Sequence, residues 1–331
     1  MYIIAEIGQA HEGSLGLAIS YIEALAKTGV DAVKFQMHIA EAESSLQEPF
    51  RIKFSKQDKT RFDYWKRMEF TFEQWQILKE CCETNNLEFL ASPFSNLAVD
   101  QLEKLGVKRY KIGSGEVNNF LLLKKIAKTG KPIILSSGMS SFAEFDETVD
   151  FLKKEKIEFS ILQCTTSYPT TPENYGLNVI SELKERYQAP VGFSDHSANP
   201  STCIAATALG AEILEFHVVF DKNMFGPDSS SSIEINQVAE MVQNIKAIEK
   251  AKNHPIDKNE NTQFKDLKSI FEKSLAVNKD LPENHILKFE DLESKKPKGC
   301  GINASKFEEI IGQKLKKPLK KWDFLTEESL H

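Results

Sequence analysis

The sequence predicts an α/β fold: a TIM (β/α)8 barrel followed by a small C-terminal domain. Three observations predict it. Eight short apolar runs alternate with amphipathic segments in the first part of the chain, over about the 250 residues that one such barrel takes. Polar residues gather at the C-terminal ends of almost all these runs, the face where this architecture carries its active sites. The pattern then breaks near Asn253 and leaves a remainder of about 80 residues.

The strand segments come first. They are YIIAEIG (from Tyr2), DAVKFQMH (from Asp31), LEFLASPF (from Leu87) and RYKIGSG (from Arg109). PIILSSGM (from Pro132), FSILQCTTS (from Phe159), VGFSDHS (from Val191) and ILEFHVVF (from Ile213) complete the set. They are rich in Ile, Val, Leu and Phe, as strands buried on both faces of a parallel sheet are. Between the first two runs, LGLAISYIEALAKTG reads as a helix with Ser14 as its N-cap and Gly29 as its stop. From Glu234 to Asn253, the residues Val238, Met241, Val242, Ile245 and Ile248 recur at helical spacing. A doubly wound open sheet is the competing topology. It takes fewer strands, and no GxGxxG follows the first run.

Two segments interrupt the alternation. The stretch between Ile39 and Thr71 is long for a βα loop, and its charges mixed with Phe50, Phe54, Phe62, Tyr64 and Trp65 predict an ordered lid or subdomain. KNHPIDKNENTQFKD carries no apolar period and reads as a linker. The expected organisation is a barrel over 1–252, a linker over 253–270 and a small mixed domain over 271–331, marginal for an independent core by size.

Composition narrows the function classes. The net charge of −6, from 42 Lys+Arg against 48 Asp+Glu, speaks against the basic face of a nucleic-acid binder. A chain 41% hydrophobic and 27% charged is a globular mixture, not a disordered one. No apolar run approaches the roughly 18 residues of a membrane span. The start, MYIIAEIGQAHEG, has no basic n-region and does not read as a signal peptide. Cys81, Cys82, Cys164, Cys203 and Cys300 are scattered without a CxxC pair, so a reducing cytoplasm is expected in place of a disulfide framework. Cys164 reads as a small buried filler of a strand more readily than as a nucleophile.

The ring of polar strand ends is the sharpest functional signal. Glu12 follows the first run, Lys34 and Gln36 lie in the second, and Ser92 in the third. Lys111, Ser114 and Glu116 belong to the fourth, Ser136 and Ser137 to the fifth, Thr165, Thr166 and Tyr168 to the sixth. Ser194, Asp195 and His196 end the seventh, and His217 lies in the eighth. KIGSGE and LSSGM place small residues where a strand turns toward a helix, so backbone N–H groups can approach an anion. An unpaired lysine inside a strand is costly. Lys34 and Lys111 therefore predict a phosphate or carboxylate ligand, the alternative being pairing with a barrel carboxylate such as Glu6 or Glu215. His196 and His217 end neighbouring strands and can converge as a two-histidine metal site completed by water or substrate. Asp228, in FGPDSSSS, suits sugar hydroxyls or a metal, although GPD is also a plain turn.

IAEIGQAHEGS, VKFQMH, SPFS, YKIGSGE, LSSGM, CTTSYPT, GFSDHS, EFHVVF and GPD occur in this order along the chain. Together they resemble the sialic acid synthase family, which includes N-acetylneuraminate, legionaminic acid and pseudaminic acid synthases. The tail from Ser274 to Leu325 resembles that family's C-terminal antifreeze-like (SAF) domain. HEGS and FGPDSSSS look closer to the neuraminate and legionaminate branch.

The resemblance implies a reaction. Phosphoenolpyruvate condenses with the open-chain aldehyde of an N-acetylated mannose-type sugar, giving a nine-carbon 2-keto-3-deoxy acid and phosphate. It implies that Lys111, Ser114, Ser136, Thr166 and Ser194 hold phosphoenolpyruvate, with Ser92 and Phe94 in the same substrate pocket; the family usually has Asn at the place of Thr166. Glu12, Lys34, Gln36, Tyr168 and Asp228 would meet the sugar or the attacking water, and Glu12 or Glu116 would transfer the proton. His196 and His217 would hold a divalent metal, Mn2+ before Mg2+ or Co2+, as a Lewis acid. The family's SAF domain commonly offers an Arg to a neighbouring subunit, and a homodimer with exchanged tails is implied. Here KKPKGCGI puts Lys296 at the matching place, and a lysine lacks the bidentate fork. A ketodeoxyoctonate-phosphate type of synthase on the same barrel is the alternative reading.

Overall fold

The computed structural model describes residues 1–331. The eight apolar runs become eight strands: β1 (Tyr2–Gly8), β2 (Ala32–Met37), β3 (Glu88–Pro93), β4 (Tyr110–Ile112), β5 (Ile133–Ser136), β6 (Phe159–Cys164), β7 (Val191–Asp195) and β8 (Ile213–Val219). All are parallel, in the order β3-β2-β1-β8-β7-β6-β5-β4, and β3 lies beside β4, so the ring is nearly closed. This is the TIM-type barrel that the alternation predicts.

Period two then sorts the side chains. Every second residue of a barrel strand points inward. Ile4, Ala32, Leu90, Ile134 and Leu162, with Ile213 packed against them, form an apolar plug. Two residues further along, Glu6, Lys34, Ser92, Ser136, Cys164, Ser194 and Glu215 form a buried polar level, joined by Lys111. Two residues beyond these stand Gln36, Phe94, Thr166, His196 and His217, at the mouth. Register holds the levels together, with Glu6 opposite both Lys34 and His217. Gly192 belongs to the plug, where an added β-carbon would strike the Ile213 carbonyl and Leu162.

The barrel's helices are α1 (Leu15–Leu25), α2 (Ala40–Glu43), α3 (Arg61–Met68), α4 (Phe72–Thr84), α5 (Asn96–Leu105), α6 (Phe120–Ala127), α7 (Phe142–Lys154), α8 (Val179–Tyr187), α9 (Pro200–Ala208) and α10 (Ile235–Lys252). Ser14 caps α1 by accepting from the Leu17 amide, as its position predicts. The buried face of α10 is Val238, Met241, Val242 and Ile245. A two-residue strand, β9 (Ile233–Glu234), pairs with β8.

The segment between β2 and α4 is ordered, as its aromatics predict. Ala40, Tyr64, Trp65 and Met68 form a small core with Phe50, Phe54 and Phe62. Thr60 and Asp63 make a reciprocal capping box at the start of α3. Arg67 then clasps Asp58 at 2.9 Å and Glu12 at 2.8 Å.

The chain divides into two compact units, Met1–His254 and Pro255–His331. The stretch expected to be a bare linker is not one throughout: α11 (Lys265–Phe271) forms inside it and belongs to the second unit. Its polar composition hid the helix, because Leu267, Ile270 and Phe271 are too few to show a period and remain exposed. The second unit contains β10 (Ser274–Val277), antiparallel to β11 (Leu292–Lys295), and the short α12 (Phe307–Ile310). It has its own core, including Leu275, Val277, Leu287, Ile302, Leu315 and Leu325. No helix of the chain is long and apolar enough to cross a membrane.

Candidate active site

Two clefts of roughly 200 Å3 open at the C-terminal ends of the strands, and they share Gln36, Thr166, Tyr168 and His217. The inner cleft reaches down to the polar level of the barrel. The outer cleft rises between Tyr168, Asp228 and the segment carrying Arg51, Tyr64 and Trp65.

The inner cleft is a charge-balanced cage. Lys34 pairs with Glu6 and reaches Glu215 at 3.8 Å. Lys111 lies 3.4 Å from Glu215 and 2.7 Å from Ser136 Oγ. Glu215 Oε1 also accepts from Ser194 Oγ at 3.2 Å. The lysines are thus paired with barrel carboxylates, which was the alternative reading. Yet both line the cleft, so the pairing also stores two cations at its floor without leaving either unmatched. Burial pushes the Lys111 ammonium down, with Lys34 adding to it and Glu215 opposing. Burial also works against charge on Lys34, but Glu215 and Glu6 raise it. Burial favours a neutral Glu215, and the two lysines outweigh that and lower it.

Above Lys111, the strand-to-helix turns close in. A β-carbon on Gly138 would collide with Ser114 Oγ and Thr166 Oγ1, so only glycine admits both hydroxyls. Thr166 Oγ1 is buried with no hydrogen-bond partner in the protein. A buried, unpartnered hydroxyl beside Ser114, Ser136 and two lysines suits a ligand with acceptor oxygens. Ser92 and Phe94 line the same cleft.

His196 and His217 face each other with ring centroids 5.4 Å apart, and Tyr168 lies against both, at 4.1 and 6.1 Å. His196 Nδ1 contacts the Thr165 carbonyl oxygen at 2.9 Å and Cys164 Sγ at 3.7 Å. Burial opposes a proton on His196, but the neighbouring thiol and that carbonyl raise it to about 9. Burial lowers His217, with Asp228 and Glu6 opposing. Two imidazoles at one cleft edge can serve as nitrogen donors for a divalent ion once His196 gives up its proton, and no third His, Cys, Asp or Glu joins them as a cluster.

Other expected site residues stand elsewhere. Glu12 is held by Arg67 at 2.8 Å and lines neither cleft. Glu116 accepts from Asn119 Nδ2 at 2.7 Å and opens onto a separate groove beside Glu43 and Asn96. Burial raises both carboxyls, with Arg67 opposing at Glu12 and Asn119 at Glu116. Ser114 and Gly115 line the inner cleft, but the turn after β4 gives the next side chain, Glu116, to the separate groove. Asp228 does reach the outer cleft, as a partner of Arg51. Lys296 belongs to the second unit, with its ammonium 4.7 Å from the centre of the Phe271 ring.

Sequence reasoning did not single out Gln9, His38 or Arg51. Gln9 and Arg51 line the outer cleft. His38 is buried behind it. Gln9 and His38 had one usable signal, a polar residue next to a strand end. Arg51 had none.

Comparison with known proteins places this arrangement. The NeuB family profile matches residues 21–257. The N,N'-diacetyllegionaminic acid synthase of Campylobacter jejuni is 35% identical over 331 residues, covering 98% of this chain and 98% of that protein. The N-acetylneuraminate-9-phosphate synthase of Homo sapiens is 33% identical, covering 99% of this chain and 92% of that protein. The crystal structure of the N-acetylneuraminic acid synthetase of Leptospira borgpetersenii in complex with citrate superposes with a TM-score of 0.71 at 32% identity, covering 80% of this chain and 89% of that one. A truncated 3-deoxy-D-arabino-heptulosonate 7-phosphate synthase of Thermotoga maritima, at 16% identity and a TM-score of 0.58, shares the fold alone. With its barrel, its paired clefts and relatives of this similarity along nearly its whole length, the chain belongs to the NeuB family.

Proposed function

We propose that this chain condenses phosphoenolpyruvate with the open-chain aldehyde of an N-acetylated mannose-type sugar. The sugar is N-acetylmannosamine or a 2,4-diacetamido-6-deoxy analogue. The products are a nine-carbon 2-keto-3-deoxy acid and inorganic phosphate, with one water consumed. The observation that carries the reading is the pair of clefts sharing one wall. A serine- and lysine-lined anion cage opens at Gln36, Tyr168 and His217 into an aromatic, arginine-bearing cleft.

The residues take these roles. Lys111, Ser114, Ser136, Thr166 and Ser194 hold phosphoenolpyruvate, with Ser92 and Phe94 shaping its pocket. Lys34, steadied by Glu6 and Glu215, supplies the second positive charge. Gln36, Tyr168 and Asp228 orient the sugar. Tyr168 keeps its proton, because burial raises the phenol well above its ordinary range. C3 of phosphoenolpyruvate forms the new bond to the aldehyde carbon, water adds at C2, and phosphate leaves by C–O cleavage. We assign the proton transfers to neither Glu12, which lines neither cleft, nor Glu116, which opens onto a separate groove.

His196 and His217 would hold a divalent ion, of which Mn2+ is our first choice ahead of Mg2+ and Co2+. When bound there, it would supply Lewis-acid polarisation of the aldehyde oxygen. The second unit serves in this reading as an antifreeze-like SAF domain, exchanged within a homodimer and offering Lys296 to the neighbouring sugar cleft. All five cysteines are free, which accords with a cytoplasmic enzyme.

The test is phosphate release from phosphoenolpyruvate with Mn2+ and a panel of aldoses. The panel comprises N-acetylmannosamine, its 6-phosphate, 2,4-diacetamido-6-deoxy sugars of the manno and altro types, and a pentose 5-phosphate, which has no acetamido group. Release with an acetamido sugar is expected. Release only with a phosphorylated aldose lacking the acetamido group would support the ketodeoxyoctonate-phosphate type, which the names of the similar proteins do not favour. No release with any sugar would overturn both.

A further inference from the structure

Behind the outer cleft runs a chain of hydrogen bonds whose polarity is set at both ends. Gln36 Nε2 donates to Glu6 Oε1 at 2.8 Å. Glu6 is also the partner of Lys34, so it is an acceptor only. Gln36 must therefore turn its Oε1 outward, and this oxygen accepts from Gln9 Nε2 at 2.6 Å. Gln9 Nε2 also lies 2.8 Å from His38 Nε2. At the far end, His38 Nδ1 lies 2.6 Å from Glu43 Oε1, while Glu43 Oε2 accepts the Ile39 amide at 3.2 Å. Glu43 is thus a second acceptor. His38 Nδ1 must carry the proton. Its Nε2 has two neighbours, Gln9 Nε2 at 2.8 Å and Gln36 Oε1 at 3.2 Å; in the neutral ring it accepts from Gln9, the nearer of the two.

The two halves meet at Gln9. Both of its amide hydrogens are used, one toward Gln36 and one toward His38. Its Oε1 makes no hydrogen bond within the protein, and the residue lines the outer cleft. His38 cannot turn over to change this arrangement. It is clamped between Trp65, with ring centroids 3.9 Å apart, and Phe94, at 4.5 Å, both stacked nearly parallel to it.

We propose that Gln9 is a substrate-binding residue for the aldose, offering its Oε1 to a hydroxyl or amide N–H of the sugar, and that His38 and Glu43 are the positioning residues that hold that oxygen toward the cleft. The sandwich makes Trp65 and Phe94 part of the same device. Gln36 Oε1 and His38 Nε2 both call for the Gln9 NH2 group, so losing the His38 acceptor removes one of the two contacts that hold the amide in this sense; an NH2 group toward the cleft would repel the donor that the oxygen receives. The effect is selective, because no member of the chain beyond Gln36 lines the inner cleft except Phe94.

This inference rests on the condensation proposed above, and two measurements test it. The first is the 15N and 1H NMR tautomer of His38 in the whole, ligand-free chain at neutral pH. A neutral ring with the proton on Nδ1 is expected. A proton on Nε2, alone or together with Nδ1, would overturn the proposal. The second is kinetic, using the sugar that the wild type condenses. His38→Phe keeps an aromatic ring between Trp65 and Phe94 but removes the acceptor. The KM for the aldose should rise about tenfold, the scale on which an oriented hydrogen bond is felt, while the KM for phosphoenolpyruvate stays unchanged. Gln9→Met should do the same. An unchanged aldose KM, or a parallel rise in both constants, would refute the assignment. A wild type that releases no phosphate with any sugar instead defeats the functional reading, and the tautomer still decides whether the positioning chain exists.

Discussion

Arg51 Nη2 lies 3.0 Å from Asp228 Oδ1, and the same guanidinium covers the Tyr168 ring at 4.3 Å. A residue from the long segment after β2 thus bridges the loop after β8 and the loop after β6. All three line the outer cleft. A planar guanidinium can stack and pair at once, which a lysine ammonium cannot do.

Arg51→Ala should therefore raise the KM for the aldose severalfold, and Arg51→Lys should recover little of it. Steady-state kinetics with phosphoenolpyruvate at saturation checks this. The melting temperature should move little, because an ion pair this exposed contributes about 0–1 kcal/mol.

Lys111→Met removes a cation from the floor of the inner cleft. The KM for phosphoenolpyruvate should rise by about two orders of magnitude, since charge-assisted bonds to an anion are the strong ones. Stability should fall by roughly 3 kcal/mol as Glu215 loses its nearer cation, with Lys34, at 3.8 Å, limiting the loss. Isothermal titration with phosphoenolpyruvate and a urea melt separate the two effects.

His217→Ala should abolish divalent-ion binding, and phosphate release with it, without unfolding the barrel. Chelation of the wild type should stop phosphate release, and added Mn2+ should restore it. The variant should not be restored. Titration of Mn2+ by electron paramagnetic resonance gives a readout independent of turnover.

His11 makes stability depend on pH. It is buried, accepts the Gly13 amide at Nδ1 at 3.0 Å, and packs on Phe70 with ring centroids 4.6 Å apart. Burial first, then His38 and Arg67, holds it down to about 3. The unfolded chain takes up this proton near the ordinary value of about 6.5. Between those values the unfolded state holds more protons, so stability falls as pH is lowered. From pH 7 to pH 5 the loss is about 2 kcal/mol from this residue. Asp195 opposes it, because burial pushes its carboxyl up to about 6 and the folded state then holds the extra proton. Urea melts at both pH values isolate His11: in His11→Asn the difference between them should shrink by about 2 kcal/mol.

The sequence by itself determined the barrel, the levels inside it and most of the inner cleft. Strand periodicity is local, and so is the rule that turns alternate residues inward. Reading Ile4, Glu6 and Gly8, or Leu162, Cys164 and Thr166, already separates plug from cage from mouth. Lys34, Lys111, Ser136, Ser194, His196 and His217 were legible because they are polar residues in or at the ends of apolar strand runs. The tertiary structure decided everything that depends on a partner from elsewhere in the chain. It gave Glu12 to Arg67, turned Glu116 into another groove and paired both lysines with Glu6 and Glu215. It also folded a helix into the expected linker and brought Arg51 to Asp228 across 177 positions of sequence. Gln9 and His38 show the reason most plainly. A hydrogen bond has a direction fixed by which group can only accept, and the groups that fix it here, Glu6 and Glu43, stand at opposite ends of a chain that exists only once the barrel has closed around it.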